Sequence, residues 1–287
     1  MSIADLVPAH IGEQEPVKKC IGVVSWDHTR ILDSQVAALQ PVSVRDFGLE
    51  ATTAMKIAQL LPTTLIDYPG KVAALAYTAG CNFRCPFCHN SELVLPEKIQ
   101  TMHLIPENDV LYFLRERGNF LDALSITGGE PTLHGDLPRF IKRVKQLGLL
   151  VKLDTNGSRP EVLKELFDDH LLDYVAMDVK GPANRCDDLA GVHVDLDAIG
   201  RSIKLIMDRA PDYEFRTTVA PTITAEDIED TVEPVQGARR YFLQAFVVPE
   251  GKDLVDPSWN GKTALSKAEL EGVWERIKGN FSDGGVR

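Results

Sequence analysis

Three cysteines are the residues in this sequence whose spacing most directly suggests chemistry. Cys81, Cys85 and Cys88 lie within eight residues in the pattern C-x3-C-x2-C, and they are three of the five cysteines in the chain. Thiolates are soft ligands that suit zinc and iron–sulfur clusters. A closed structural site usually has four protein ligands, whereas a [4Fe–4S] cluster held by three thiolates leaves one iron open for chemistry. The spacing therefore predicts a reactive iron–sulfur centre.

A zinc site is the alternative interpretation of the same cysteines. It requires a fourth ligand, and His89 is the nearest candidate. Because His89 directly follows Cys88, the two side chains do not easily complete one tetrahedron. The other two cysteines, Cys20 and Cys186, stand apart from the cluster and are too few to bind a second one through thiolates. An isolated Cys20 is better interpreted as a small buried hydrophobe.

Composition indicates a globular protein of the reducing cytoplasm. The chain has 287 residues, 44% of them hydrophobic, which suffices for one large domain or one domain with an appendage. The N-terminus lacks the basic and apolar regions of a signal peptide, and no apolar run reaches the ~18 residues of a membrane span. A net charge of −11 argues against broad binding to nucleic acid. We therefore expect a cytoplasmic location, no membrane contact and no nucleic-acid partner.

Strand patterns alternate with helical patterns from Met55 onward. Six strands are predicted, at Val72–Thr78, Ala123–Thr127, Leu149–Asp154, Tyr174–Lys180, Tyr213–Val219 and Arg240–Phe246. Apolar residues at helical spacing predict amphipathic helices at 137–147, 196–206, 228–235 and 270–277, the last with Ser266 as its N-cap. Such alternation is typical of βα units and a parallel sheet, and six units are too few for a closed eight-stranded barrel.

Polar residues recur where the predicted strands end. The cysteine segment follows the first strand, and the others are Gly128–Pro131, Asp154–Gly157, Asp178 with Lys180, and Arg216 within the fifth strand. Each has an ordinary structural explanation by itself, as a turn, a helix cap or a solvated charge. In a βα barrel, however, functional side chains gather at the carboxyl ends of the strands. Their recurrence there predicts one shared site.

The cysteine motif also resembles that of a known family. Its spacing, with Phe87 before the last cysteine, resembles the signature of radical S-adenosylmethionine (SAM) enzymes, and His89-Asn90 is similar to the glycyl-radical-enzyme activases among them. The resemblance is closest to the activases of anaerobic ribonucleotide reductase, and it runs from about Met55 to about Pro257. It implies an α/β fold, a partial (β/α)6 TIM-type barrel at 55–287, with residues 1–54 as a short N-terminal appendage of unknown role.

The resemblance further implies roles for individual residues. Cys81, Cys85 and Cys88 would bind the cluster. The residues that it assigns to SAM are Phe87, His89, Gly128, Gly129, Glu130, Asp154, Asp178, Lys180 and Arg216. Among these, the Glu130 carboxylate would pair with the SAM ammonium, while Asp154, Asp178 and Lys180 would surround the SAM carboxylate and a nearby monovalent cation.

The activity implied by the resemblance is radical formation. A reduced [4Fe–4S] cluster would cleave SAM to methionine and a 5′-deoxyadenosyl radical, which would take a hydrogen from a backbone glycine of a partner enzyme. That partner would be a glycyl-radical enzyme, anaerobic ribonucleotide reductase, and the electron donor a flavodoxin or a ferredoxin. The alternatives are a radical SAM enzyme that acts on another protein or a small molecule, and a non-catalytic zinc adaptor.

Overall fold

The structure is a computed structural model that describes residues 55–287. The predicted appendage at 1–54, including Cys20, lies outside the described residues.

Eight strands form a single sheet in which spatial order follows chain order. They are β1 Ile57–Thr64, β2 Ala73–Thr78, β3 Ala123–Gly128, β4 Leu150–Thr155, β5 Tyr174–Asp178, β6 Tyr213–Val219, β7 Arg240–Ala245 and β8 Asp283–Val286. β1 is antiparallel to β2, and every later pair of neighbours is parallel. Within the described part of the chain, β1 and β8 are the outer strands and do not pair with each other, so the barrel is partial and unclosed.

The six predicted strands correspond to β2 through β7, and two further strands flank them. β1 contains Pro62, which lacks the N–H needed in a central ladder and is tolerated at a sheet edge. β8 contains Gly284 and Gly285, residues that are depleted in strands. Gly284 is required by close packing, since a Cβ there would overlap the carbonyl oxygen of Tyr241 on the neighbouring strand. Neither outer strand has a sequence pattern that strongly predicts a strand, so the formation of both depends on pairing with the rest of the sheet.

Nine helices accompany the strands within residues 55–287. They are α1 Ser91–Val94, α2 Pro96–Ile99, α3 Glu107–Arg117, α4 Leu137–Gln146, α5 Pro160–Asp168, α6 Cys186–Ala190, α7 Leu196–Arg209, α8 Ala225–Val232 and α9 Lys267–Ile277. The four predicted helices are α4, α7, α8 and α9. Ser266 caps α9 as expected: its hydroxyl accepts from the Glu269 amide at 3.3 Å, and the Glu269 carboxylate accepts from the Ser266 amide at 2.7 Å. None of the described helices has the length and hydropathy needed to cross a bilayer.

A small separate core closes one end of the barrel. Tyr68, Ala73, Ala123 and Tyr174 are all buried there, and the last three are the first residues of β2, β3 and β5. The alanines leave room for the ring of Tyr68, which packs against the Tyr174 ring with 5.6 Å between centroids. Because this packing fills the amino ends of the strands, a cavity is left at their carboxyl ends.

Candidate active site

One cavity of about 460 Å³ at the carboxyl ends of the strands is lined by all twelve residues that the sequence nominated. These are Cys81, Cys85, Phe87, Cys88, His89, Gly128, Gly129, Glu130, Asp154, Asp178, Lys180 and Arg216. They come from the ends of β2, β3, β4 and β5 and from within β6. The parallel order of the strands therefore brings together residues that are up to 135 positions apart in the chain.

The cysteine segment presents three free thiols to the cavity. Cys85 is buried, Cys81 and Cys88 are half-buried, and none of them is in a disulfide. Burial raises the pKa of the Cys81 thiol to about 12 and that of Cys85 to about 11, and it also raises the pKa of Cys88. The thiols are therefore protonated at neutral pH without a metal, and a metal that binds them must displace protons.

Two glycines hold the loop after β3 against the start of the cysteine segment. The Gly129 amide donates to the Thr78 carbonyl at 2.8 Å, and the Glu130 amide donates to the Gly80 carbonyl at 2.7 Å. A Cβ at Gly128 would overlap the Thr78 backbone, and one at Gly129 would overlap the Gly80 carbonyl oxygen. Gly128 also has a φ of +119°, a conformation that side chains disfavour. Both positions thus need glycine for the close approach of two backbones.

The Glu130 carboxylate is fully buried and bonded inside the protein. It accepts from the Thr132 amide at 3.1 Å and the Thr132 hydroxyl at 2.5 Å, from the Thr155 hydroxyl at 2.8 Å and from the Asn156 amide at 2.6 Å. Burial raises the pKa of Glu130, and these four donors act against that rise. The carboxylate therefore ties the loop after β3 to the loop after β4, and its pairing with a SAM ammonium stays a prediction.

Alternating charges run across the carboxyl ends of β4, β5 and β6. Arg216 lies between two carboxylates, with its Nε 2.8 Å from Asp178 Oδ1 and its Nη2 3.0 Å from Asp154 Oδ2. Lys180 Nζ is 3.5 Å from Asp178 Oδ2, and Lys152 forms an ion pair with Asp154. Burial alone would raise the pKa of Asp178, but Arg216 and Lys180 outweigh it and lower the pKa to about 2. Within this cluster three cations exceed two anions by one charge, and the carboxylates of Asp67 and Glu130 line the same cavity.

Lys180 places part of that positive charge near the sulfur atoms. Burial alone would lower the pKa of its ammonium, but Asp178 and the three cysteines together raise the pKa above its ordinary value. His89 differs, because burial and the nearby Lys252 both lower the pKa of its imidazole. The histidine is thus neutral and the lysine cationic at neutral pH.

Aromatic packing and backbone hydrogen bonds fix the second half of the cysteine segment. The buried Phe87 ring lies 6.5 Å from the Phe246 ring and 6.1 Å from the Trp259 ring. The Val255 amide donates to the Cys88 carbonyl at 2.9 Å, and the Asp256 amide donates to the Pro86 carbonyl at 3.1 Å. The segment after β7 therefore supports the metal-ligand candidates, and a contact of Phe87 with SAM stays a prediction.

Several cavity residues were not nominated from the sequence. Asn156 donates through its side-chain amide to Asn82 Oδ1 at 2.9 Å, and Asn82 donates to the Ser158 hydroxyl at 2.9 Å, which joins the cysteine segment to the loop after β4. The others include Asp67, Tyr77, Thr127, Thr218 and Gln244. Thr218 follows Arg216 by two positions on β6, so strand alternation alone would have placed it on the same face.

Comparison with known proteins identifies the class to which this fold and site belong. The family profile described as "Radical SAM superfamily" matches residues 75–235, more than half of the 287-residue chain. The chain therefore belongs to the radical SAM superfamily. This membership implies SAM and a [4Fe–4S] cluster as its cofactors, and it supports an enzymatic function.

Two proteins that are similar in sequence carry a more specific description than the superfamily. A protein of Methanocaldococcus jannaschii named "Putative glycyl-radical enzyme activating enzyme" is 36% identical over 220 residues, which cover 75% of this chain and 88% of that protein. A second protein of that organism with the same description is 33% identical over 116 residues, covering 40% of this chain and 41% of its own length. The chain is thus similar in sequence to proteins named as activases.

A solved structure supports the fold. The crystal structure of Streptococcus suis SuiB bound to the precursor peptide SuiA superimposes with a TM-score of 0.58 at 16% identity. The match covers 74% of this chain and 48% of that chain, so this chain spans about half the length of SuiB. Identity at this level shows a shared partial barrel and nothing about substrate.

Proposed function

We propose that this protein is a cytoplasmic glycyl-radical-enzyme activase whose partner is an anaerobic ribonucleotide reductase. The observation that carries the proposal is the single cavity in which three free thiols meet the glycine loop after β3 and the charges of β4 to β6. The activase description of the relative that is 36% identical over most of both chains supports the reaction class. A flavodoxin or a ferredoxin would supply the electron.

The cysteines fit a cluster in their chemistry and placement. Cys81, Cys85 and Cys88 line one cavity as free thiols, and three thiolates leave one iron of a [4Fe–4S] cluster open. Within residues 55–287, no three His, Cys, Asp or Glu side chains surround the position of one metal ion. Cluster ligands bind three different irons, so they need not meet at one point. Together, the bound cluster and SAM supply a 5′-deoxyadenosyl radical, with methionine as the other product.

The charges and loops of the cavity fit the polar groups of SAM. Arg216 and Lys180 are cationic donors that can bind a carboxylate, as charge-assisted hydrogen bonds are stronger than neutral ones. Gly128 and Gly129 line the cavity and, without side chains, allow the loop after β3 to lie directly against the start of the cysteine segment. Glu130 and Asn156 hold this loop in place from the protein side. Phe87 and His89 complete the proposed SAM site beside the cysteines.

The monovalent cation implied by the resemblance is left out of the proposal. Its candidate ligands are Asp154 and Asp178, and Arg216 contacts both carboxylates at 3.0 and 2.8 Å. Lys152 and Lys180 add a second cationic contact to each carboxylate. The two aspartates are thus already neutralised by the chain's own side chains, and a further cation would face three positive charges.

The unclosed barrel suits a substrate that belongs to another protein. Because β1 and β8 do not pair within the described residues, a loop of a partner can approach the cavity between them. The hydrogen atom would pass from a glycine Cα to the 5′ carbon, giving 5′-deoxyadenosine and leaving the unpaired electron on the partner. The buried walls that β2 to β7 provide keep water from the radical.

A second candidate is a radical SAM enzyme that modifies another protein or peptide. It is favoured by the same unclosed barrel, since an opening between β1 and β8 admits a segment of any protein or peptide. Both candidates share the cofactors and the first chemical step. They differ in whether the radical persists on the substrate as a stable glycyl radical.

Metal content tests the cofactor part of the proposal. Alanine in place of Cys81, Cys85 or Cys88 is expected to abolish iron loading after anaerobic reconstitution, because three thiolates are the whole proposed ligand set. Cys186→Ala is the matched control, since Cys186 is a buried free thiol outside this cavity, and it should load iron like the wild type. Full loading of a cavity variant, or stoichiometric zinc in place of iron–sulfur absorption, would refute the cluster.

Electron paramagnetic resonance tests the reaction. The reconstituted protein is mixed anaerobically with SAM, reductant and the anaerobic ribonucleotide reductase of the same cell. We expect the doublet of a glycyl radical, whose splitting comes from the remaining α-hydrogen, in amounts that match the 5′-deoxyadenosine formed. SAM cleavage that a peptide or a small molecule accelerates, without a doublet on the reductase, would refute the activase function in favour of the second candidate.

A further inference from the structure

Two polar side chains in the cavity have no role in the cofactor site described above. Tyr77 lies on β2 and Gln244 on β7, and both line the cavity. No residue from 55 to 287 forms a hydrogen bond with the Tyr77 hydroxyl or with the Gln244 amide nitrogen. The Gln244 amide oxygen accepts only from the Thr218 hydroxyl, at 3.4 Å, which is beyond the usual range for such bonds. Among the described residues, donors and an acceptor of these two side chains are therefore without a strong partner and can bind a ligand.

Tyr77 and Gln244 lie on strands, outside the segment that carries the cysteines. Tyr77 precedes Cys81 by four residues and lies within β2, whereas the cysteines lie in the segment beyond the end of that strand. Gln244 similarly precedes Phe246, the residue that packs against Phe87. Both residues thus belong to strands, whereas the cysteines lie in the segment beyond the end of β2.

The two strands also flank the opening of the barrel. β2 and β7 are each the immediate neighbour of an outer strand, β1 and β8 respectively, and the outer strands do not pair with each other in the described part of the chain. A segment that enters between the outer strands would therefore have Tyr77 on one side and Gln244 on the other.

We propose that Tyr77 and Gln244 bind the main chain of the partner's segment on either side of the target glycine. This inference rests on the proposed activase function. Glycine has no side chain, so an enzyme that selects a glycine must recognise main-chain N–H and C=O groups. A glutamine amide complements the N–H and C=O groups of one residue in an extended segment, because it offers two N–H donors and one carbonyl acceptor. The tyrosine hydroxyl adds one further donor or acceptor.

Conservative variants test the inference without changing the shape of the cavity. Tyr77→Phe removes only the hydroxyl, and Gln244→Met keeps the length of the side chain while removing its polar atoms. The glycyl radical and 5′-deoxyadenosine are both measured at increasing concentrations of the anaerobic ribonucleotide reductase. Each variant should raise the KM for the reductase about tenfold, the cost of a peptide group left without its partner, and should lower the radical formed per SAM cleaved.

Matched controls use the same substitutions outside the cavity. Tyr112 on α3 is 54% exposed, and Gln146 at the end of α4 is exposed, and neither lines the cavity. Tyr112→Phe and Gln146→Met are expected to behave like the wild type in both measurements.

The outcomes separate this inference from the function on which it rests. A wild-type protein that forms no glycyl radical would refute both together. A wild-type radical with an unchanged KM in both cavity variants would refute the inference alone. A raised dissociation constant for SAM with an unchanged KM for the reductase would also overturn it, because the two side chains would then belong to the cofactor site.

Discussion

Arg216 provides the sharpest test of how the cavity charges stabilise this fold. Its guanidinium is 15% exposed and contacts Asp154 and Asp178, whose side chains are 12% and 23% exposed. Arg216→Met would leave two buried carboxylates with only Lys152 and Lys180 as partners. Removing one partner of a buried ion pair typically costs 3–5 kcal/mol. Because each carboxylate keeps a lysine, we expect a loss of about 3 kcal/mol in the free energy of unfolding at neutral pH.

The pH dependence of stability gives a second estimate of what these ion pairs contribute to the free energy of unfolding. The pKa of Asp178 is about 2 in the folded protein against an ordinary value of 3.8. A depressed pKa of this kind contributes roughly 2.5 kcal/mol of stability, present above about pH 4 and lost as the pH falls toward 2. In the variant the carboxylate pKa values rise toward or above their ordinary values. The difference in stability between wild type and variant should therefore be largest above about pH 5 and should shrink on acidification.

Urea unfolding of the metal-free protein under reducing conditions measures the effect, at pH 7.5 and at about pH 3. Arg276→Met is the matched control, since Arg276 Nε lies 2.6 Å from Glu229 Oε1 on the surface with both side chains about half exposed. An exposed pair contributes less than about 1 kcal/mol. The reasoning fails if Arg216→Met costs no more than Arg276→Met, or if its cost is as large at about pH 3 as at pH 7.5.

Three further predictions concern the loops and the limits of the domain. Gly129→Ala should lower the free energy of unfolding by about 2–3 kcal/mol, because its Cβ overlaps the start of the cysteine segment. Gly200→Ala is the control, since its Cβ meets only open space, and it should be neutral or stabilise by up to about 1 kcal/mol. Equal effects of the two substitutions in urea unfolding would contradict this prediction. Ser266→Ala should cost about 1 kcal/mol through loss of the α9 cap, checked by the same titration, and no change would mean that the cap is dispensable. A chain that begins at Met55 should load iron and cleave SAM, because every nominated site residue lies after it; a soluble but inactive product would show that residues 1–54 contribute to the site.

The amino-acid sequence by itself determined the parallel sheet and predicted residues that line one cavity at its carboxyl edge. Strands β2 to β7 carry apolar, β-branched runs, and α4, α7, α8 and α9 carry the spacing of an amphipathic helix. These periods are local properties of pleats and helical turns, so they are readable without tertiary contacts. The spacing of Cys81, Cys85 and Cys88 is local as well. In folds of this kind functional side chains follow parallel strands at one edge of the sheet. The other predicted site residues could therefore be selected from their positions at the strand ends.

Only the tertiary structure decided how the site residues interact. The Glu130 carboxylate bonds to Thr132, Thr155 and Asn156 inside the protein, a use that depends on the approach of two loops 25 residues apart. Arg216 meets Asp154 and Asp178 from positions 62 and 38 residues away. β1 pairs with β2, and β8 pairs with β7, only because the sheet offers each of them an edge to bond to. Local strand propensity does not encode these pairings. Long-range contacts of this kind depend on the packed geometry of the whole barrel, and no local pattern in the sequence specifies them.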